Sequence, residues 1–389
     1  MAKKWSSRLT FFAFVVLMVG LGSNDSLRGI FSTIFQEHFS LTTTQLGLIV
    51  TASYIGNLVF LLVGGNLSTR FSKKRVLQVL ILIWMAALAL FAFTSNYTVL
   101  LIGMALALGS STLLNTTMNL ITPLLFATAP GFFVNFLFFT QEIGTSGSQY
   151  ILGSHADGFA FWQHTNLVLL ILGAVAFVLL LFCNVPEEAA APADAPAQKG
   201  GYDWRIIVPY VLVFGFYFIA EHGVMNWMVA YGVDGLGLPQ ASAAKYLSVF
   251  FGGMMIGRLC LSPLVDKLGA LKSLAAFGGV SCVLYLIGSL GGAVTMPVWA
   301  ISGLSFSILY PTLVMSIRLY FPAQQVSGAA GTILSIASLA DILFNVGFGR
   351  LVDTLGYGVS IYVLPLAMAA FIITFLAFSR GHGKEQQKN

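Results

Sequence analysis

Four acidic side chains, Asp25, Glu142, Glu221 and Asp341, lie inside stretches apolar enough to cross a lipid bilayer. An ionisable group at membrane depth is expensive, so such groups line water-filled cavities, pair with a partner or carry protons. Asp25 and Arg28 are three residues apart, which places them on one helical face where each offsets the other's cost. The pair reads two ways: a structural ion pair, or a titrating acid with Arg28 moving between it and a substrate. Arg28 also favours anions, because its planar fork matches a carboxylate. Glu221 and His222 are adjacent near the middle of an apolar run. Desolvation raises a carboxyl pKa towards neutrality and histidine titrates near physiological pH, so both are candidates for proton or substrate contact. A lone histidine such as His222 inside a span is more often a hydrogen-bonded packing residue. Asp341 has Asn345 four residues on, either a clamp between helices or part of a site. Asn115, Asn119, Gln141 and Asn226 supply amides, and Trp227 and Tyr310 supply aromatic faces. Amides with a ring platform suit a sugar, whose hydroxyls need paired partners and whose C–H faces stack on rings. The same amides also serve as glue between helices.

The elements that position these residues follow from composition. The 389 residues are 57% hydrophobic and 8% charged, where a soluble domain carries about 25% charge. Lipid must therefore be the solvent. Spans of about 20 apolar residues are expected at 9–35, 43–67, 76–94, 98–123, 131–153, 166–185, 206–233, 243–264, 272–290, 296–320, 326–351 and 358–378. Each is helical, since lipid-facing irregular backbone is not tolerated and a barrel needs alternating segments of about ten residues. The first span runs on too far for a cleaved signal peptide and is expected to stay. The twelve spans give an all-α membrane protein. A Pro- and Ala-rich linker, 186–205, separates a six-helix half at 1–185 from another at 206–389. Pro311 should bend the tenth span. The three cysteines lack metal-ligand spacing and read as small buried hydrophobes.

With twelve spans, Lys and Arg gather on one side. It holds Lys3, Lys4, Arg8, Arg70, Lys73, Lys74, Arg75 and others, against Lys245 and Arg350 on the opposite side. The positive-inside rule puts both termini in the cytoplasm and makes the +5 balance a topology signal, not a nucleic-acid footprint. No phosphate-binding Gly-x-x-x-x-Gly-Lys loop occurs, so energy should come from a gradient. No paired nucleophile and base suggests an enzyme, and neither a metal nor another cofactor is expected.

The halves echo each other. GGNLSTRFSKKR at Gly64–Arg75 and LSPLVDKLGALK at Leu261–Lys272 share a pattern, with a further copy at Gly349–Gly356 and a partial one at Gly153–Gly158. Each closes the second helix of a group of three, the nested repeat plan of major facilitator transporters.

On these motifs the chain resembles the major facilitator superfamily over nearly its whole length. The resemblance implies two pseudo-symmetric six-helix halves, a monomer, and a cytoplasmic latch. Arg70, Asp266 and Lys267 would carry the latch, and Thr69 stands where the first copy usually has Asp. GSNDSLRGIFSTIF in span one, FYFIAEHGVMNWMVAY in span seven and YPTLVMSI in span ten look like the fucose–galactose–glucose:proton symporter family. That likeness implies that Asn24 and Asp25 stand in the site, with Asp25 coupling protons to sugar. The family's span-four Glu falls at Asn115, which cannot carry a proton, and its span-five Asn falls at Gln141. Glu142 could replace the lost acid, but a helix turns adjacent residues about 100° apart. The expectation is thus a bacterial inner-membrane secondary transporter whose partners are protons and a small solute. It would import a sugar by alternating access at a site from spans one, four, five, seven, ten and eleven. The alternative is proton-coupled exchange or export of organic anions or amphiphilic drugs.

Overall fold

The computed structural model describes residues 2–126, 130–186, 202–321 and 323–386. Side chains at 2–6, 63–70, 130–132, 135, 262, 266, 323–324, 327, 341 and 381–386 lie outside that description, as does most of the expected linker. Contacts divide the chain into two units: Met1–Leu41 with Gln45–Lys199, and Thr42–Thr44 with Gly200–Asn389.

Unit 1 contains α1 (Ala2–Ile30), the short α2 (Ser32–Phe39), α3 (Thr43–Arg70), α4 (Lys73–Phe93), α5 (Tyr97–Leu125), α6 (Pro130–Ile151) and α7 (Phe159–Leu181). Unit 2 contains α8 (Trp204–Ala230), α9 (Gln240–Leu268), α10 (Ala270–Leu290), the short α11 (Met296–Ile301), α12 (Gly303–Phe306) and α13 (Leu309–Ser316), then α14 (Ala323–Leu355), α15 (Tyr357–Ser360) and α16 (Val363–Gln386). Eleven helical passages among the described residues are long and apolar enough to cross a bilayer, and α6 occupies the expected fifth span. Polar side chains start several of them. The Ser72 hydroxyl accepts from Arg75 N at 3.4 Å, the Asn96 side chain from Val99 N at 3.2 Å, and Asp203 from Arg205 N at 2.9 Å. At the far end of α7, Lys74 donates to the carbonyls of Leu181 and Cys183, a cation on a helix C-terminus.

Each unit repeats one packing plan. In unit 1, α1 packs on α6 and α7, and α4 on α5 and α7. In unit 2, α8 packs on α14 and α16, and α10 on α11–α13 and α16. These are equivalent pairs when the spans are counted from each unit's start. The second and fourth spans also meet backbone to backbone in both. A Cβ on Gly56 would fall 1.9 Å from the Ala105 carbonyl, and one on Gly303 1.9 Å from that of Phe250. Large apolar side chains such as Phe93, Val168, Val178, Leu343 and Ile373 point outward, as lipid solvation requires.

Four details differ from the sequence reading, among them the sixth span, which begins at Phe159, seven residues before the expected 166. The first span stops at Ile30, and α2 continues as a separate helix after Phe31. The tenth is broken at Ser302 and again at Ser307–Ile308, one turn before Pro311. Proline offers no N–H to the carbonyl four residues back and its ring crowds that carbonyl, so the break falls there. The hydroxyls of Ser302, Ser305 and Ser307 also bond to nearby backbone carbonyls, which loosens the helix. Cys183 is buried as expected, but Cys260 is exposed on α9 beside Leu259 and Ile256.

Candidate functional site

In unit 1 the polar groups are brought together by an unusually close helix pair. A Cβ on Gly22 would lie 2.0 Å from the Gln141 carbonyl oxygen, and one on Gly144 2.1 Å from that of Val19. Only glycine permits α1 and α6 to approach so closely. The Thr145 hydroxyl donates to Gly22 O at 3.2 Å, and the Ser23 hydroxyl to Gly144 O at 3.3 Å, pinning the contact. This sets Asp25 of α1 and Gln141 of α6 against successive turns of α5, at Ser111 and Asn115.

The third wall is α5. Ser111, Asn115 and Asn119 recur every fourth residue and form one polar stripe. The Ser111 hydroxyl donates to one Asp25 oxygen at 3.2 Å, and the Asn24 amide to the other at 3.4 Å. Further along the stripe, the Asn119 amide donates to Asn115 Oδ1 at 2.6 Å and Asn115 donates to Gln141 Oε1 at 2.7 Å. Asp25, Asn115, Asn119 and Gln141 are each partly accessible, while Asn24 is buried. Glu142 is partly accessible on α6, next to Gln141 in the chain and turned from it.

Arg28 shares the face of Asp25, and its charge reaches that carboxyl through space. The contact ion pair, one of the two readings of their spacing, is not formed. Asp25 takes its hydrogen bonds from the neutral groups of Ser111 and Asn24. Arg28 instead places its guanidinium over the ring of Tyr54 on α3, 5.8 Å from the centroid. It is only 5% exposed, and its Nε makes no hydrogen bond.

Unit 2 assembles a different environment. On α8, Tyr217 and Phe218 lie one turn before Glu221 and His222. The rings of Phe218 and His222 stack at 5.3 Å, and His222 Nε2 lies 3.9 Å from Glu221 Oε2. Tyr310, at the start of α13, packs against Tyr217 at 5.8 Å and Phe218 at 6.3 Å. Glu221 and Arg258 of α9 both act electrostatically on Tyr217 and Tyr310. The Tyr217 hydroxyl, fully buried, closes no hydrogen bond, although Glu221 is near it. Tyr285 of α10 donates to Ala220 O at 3.1 Å from beside the same carboxylate.

Trp227 and Asn345, both expected at the site, are joined instead to each other. The indole Nε1 donates to Asn345 Oδ1 at 2.8 Å, and both side chains are fully buried. With its ring against Phe348, Trp227 is a clamp between α8 and α14, not an open platform. Asn226 is buried next to it on α8. Lys267 is exposed near the end of α9, while the side chains of Arg70, Asp266 and Asp341 lie outside the described residues. Among the described residues no cluster of His, Cys, Asp and Glu is suited to a metal.

Sequence reasoning missed Ser111, Tyr54, Arg258 and Tyr217. Ser111 was visible as the first member of the three-residue stripe that recurs every fourth position. Arg258 was visible as a cation inside an apolar span. Nothing in the sequence links Tyr54 to Arg28.

Comparison with known proteins supplies the rest. The model of the Major Facilitator Superfamily matches residues 10–331. A glucose/galactose transporter of Brucella abortus biovar 1 (strain 9-941) is 27% identical over 360 residues, covering 86% of this chain and 85% of that one. The L-fucose-proton symporter of Escherichia coli (strain K12) is 24% identical over 333 residues, covering 74% and 75% respectively. The crystal structure of a D-xylose-proton symporter superposes with a TM-score of 0.77 at 16% identity, covering 95% of this chain and 96% of that one.

Proposed function

The chain belongs to the Major Facilitator Superfamily, and we propose that within it the protein imports a sugar or sugar-like hydroxylated solute, coupled to protons, by alternating access. It is a twelve-helix, multi-pass membrane transporter and not an enzyme. Its relatives include a glucose/galactose transporter and an L-fucose-proton symporter, and both names support a sugar. In this reading it sits in a bacterial inner membrane as a monomer, with both termini and the 186–205 linker in the cytoplasm.

The observation that carries the reading is the Asp25 cluster. Asp25 is bonded to Ser111 and Asn24, and Ser111 begins the α5 stripe whose amides Asn115 and Asn119 are bonded on to Gln141. A carboxyl supported by two neutral donors, with its cation held off over a ring, can be occupied by a proton or left empty without dismantling a salt bridge. Asn115 and Gln141 bond to each other here and can turn to hydroxyls when a solute arrives, trading one neutral hydrogen bond for others. Glu221 and His222 form a second titratable pair, walled by Phe218 and Tyr310, which offer the ring faces a sugar needs. Glu142, on the far side of Gln141, is a reserve position for the acid missing at Asn115. Arg70, Asp266 and Lys267 remain the proposed cytoplasmic latch.

The test is uptake into proteoliposomes under an imposed inward proton gradient, with D-galactose, L-fucose and D-glucuronate as labelled probes. Accumulation of at least one above its external level, abolished by an uncoupler, is the expected result. Equilibration without accumulation for every transported probe would contradict proton coupling.

A further inference from the structure

Arg28 is the least explained charge in unit 1. Only 5% of it is exposed, so its charge is largely removed from water. A buried cation ordinarily survives because an anion and hydrogen-bond acceptors meet it. Among the described residues Arg28 makes neither contact: its charge reaches Asp25 only through space, its Nε makes no hydrogen bond, no carboxylate forms a contact ion pair with it, and its guanidinium lies over the face of Tyr54. Asp25, the acid one turn away, is bonded to Ser111 and Asn24 instead. The Tyr54 ring, 5.8 Å from the guanidinium carbon, offers the cation a face but no oxygen acceptor for its N–H donors.

We propose that Arg28 is the anchor for a carboxylate on the substrate, so that the transported solute is a sugar acid and not a neutral sugar. This rests on the sugar reading above and narrows it. A guanidinium presents parallel N–H donors that match the two oxygens of a carboxylate, and its planarity, fixed here over a ring, reduces the ordering needed to bind. Arg28 lies three residues beyond Asp25 and four beyond Asn24, about 4.5–6 Å along the helix axis. That is the distance from the carboxylate of a six-carbon hydroxy acid to its middle hydroxyls. A solute whose carboxylate lies on Arg28 therefore brings its hydroxyls to Asn24, and to the Ser111–Asn115–Asn119 stripe with Gln141. The cation that the fold leaves without a contact anion receives one from the cargo, which makes the empty state costly and the loaded state selective for acids. A structural role alone would call for the reverse, an arginine saturated by backbone carbonyls or a bonded carboxylate.

The test is thermal stabilisation of detergent-purified protein by D-glucuronate and D-gluconate, by the neutral D-glucose, D-galactose and L-fucose, and by adipate and 3-phenylpropionate, which are acids without hydroxyls. A ligand of the native state raises the melting temperature by mass action. Stabilisation by one or both sugar acids, with neutral sugars silent, is the expected result. In that case Arg28→Gln and Arg28→Lys should each weaken the sugar acid about 30-fold or more, the lysine variant because it keeps the charge but loses the fork. Stabilisation by neutral sugars and not by sugar acids overturns the inference and leaves the sugar reading standing. Stabilisation by adipate or 3-phenylpropionate alone overturns both. Sugar-acid affinity unchanged in the two variants overturns the role of Arg28, and silence from the whole panel overturns the substrate class.

Discussion

In unit 1 the candidate polar groups bond to one another across α1, α5 and α6, whereas in unit 2 the groups around Glu221 are mostly rings. Ser111, Asn24, Asn115, Asn119 and Gln141 form a run of hydroxyl and amide contacts that begins at Asp25. Tyr217, Phe218, Tyr310 and His222 form an aromatic wall beside Glu221. Yet the helix packing of the two units is equivalent, so the repeat conserves the scaffold and frees the side chains. Bonded amides and hydroxyls are concentrated in one unit and stacking surface in the other, while each holds a carboxyl and an arginine. The contrast extends to the closest contacts. Unit 1 holds its first and fifth spans by backbone against backbone at Gly22 and Gly144. In unit 2, a Cβ on Gly223 would meet only the ends of Leu364 and Phe344.

That difference can be broken in several places. The largest effect on stability should come from Gly22→Ala, whose new methyl meets a carbonyl that cannot move without displacing α6. A loss of about 1–3 kcal/mol is expected, against less than about 1 kcal/mol for Gly223→Ala, where a flexible leucine tip can swing aside. Melting temperatures of the two purified variants compare them directly, and equal losses would show that the closeness of α1 and α6 is not special. Asn345→Leu should cost about 1–3 kcal/mol by stranding the Trp227 indole N–H, with substrate preference unchanged. A shift in preference would return Trp227 to the site. Glu221→Gln should slow transport but keep proton-driven accumulation, and its loss would move the proton to unit 2. Tyr217→Phe should be the smallest change. It removes a buried hydroxyl that closes no hydrogen bond, so stability should hold or rise by up to about 1 kcal/mol. A marked fall would mean that this hydroxyl is bonded to Glu221 after all.

Much of this arrangement could be read from residue order, and the limits are instructive. Long apolar runs force helices in lipid, so most spans could be placed to within a few residues, although the sixth begins at Phe159, seven residues before the expected 166. Asp25, Asn115 and Gln141 could be picked out because polar groups are costly there. What periodicity cannot say is which helices meet. Ser111 and Arg258 went unnoticed for that reason, although both were visible. A fixed pair of Arg28 with Asp25 was one of two readings of their spacing, and the choice of Tyr54 depends on how α3 packs beside α1. Trp227 looked like a platform until α14 brought Asn345 to its indole nitrogen. The break in the tenth span lies one turn from the proline that causes it, because the missing bond belongs to the carbonyl four residues back.

The central claim is that Asp25 carries the coupled proton. The most direct measurement is proton uptake, followed with a pH-sensitive dye sealed inside proteoliposomes, on adding D-galactose or D-glucuronate to the wild-type protein and to Asp25→Asn. The account predicts solute-dependent acidification with the wild type. It predicts none with Asp25→Asn, which should still exchange labelled for unlabelled solute across the membrane. Solute-driven acidification that persists in Asp25→Asn would contradict the claim.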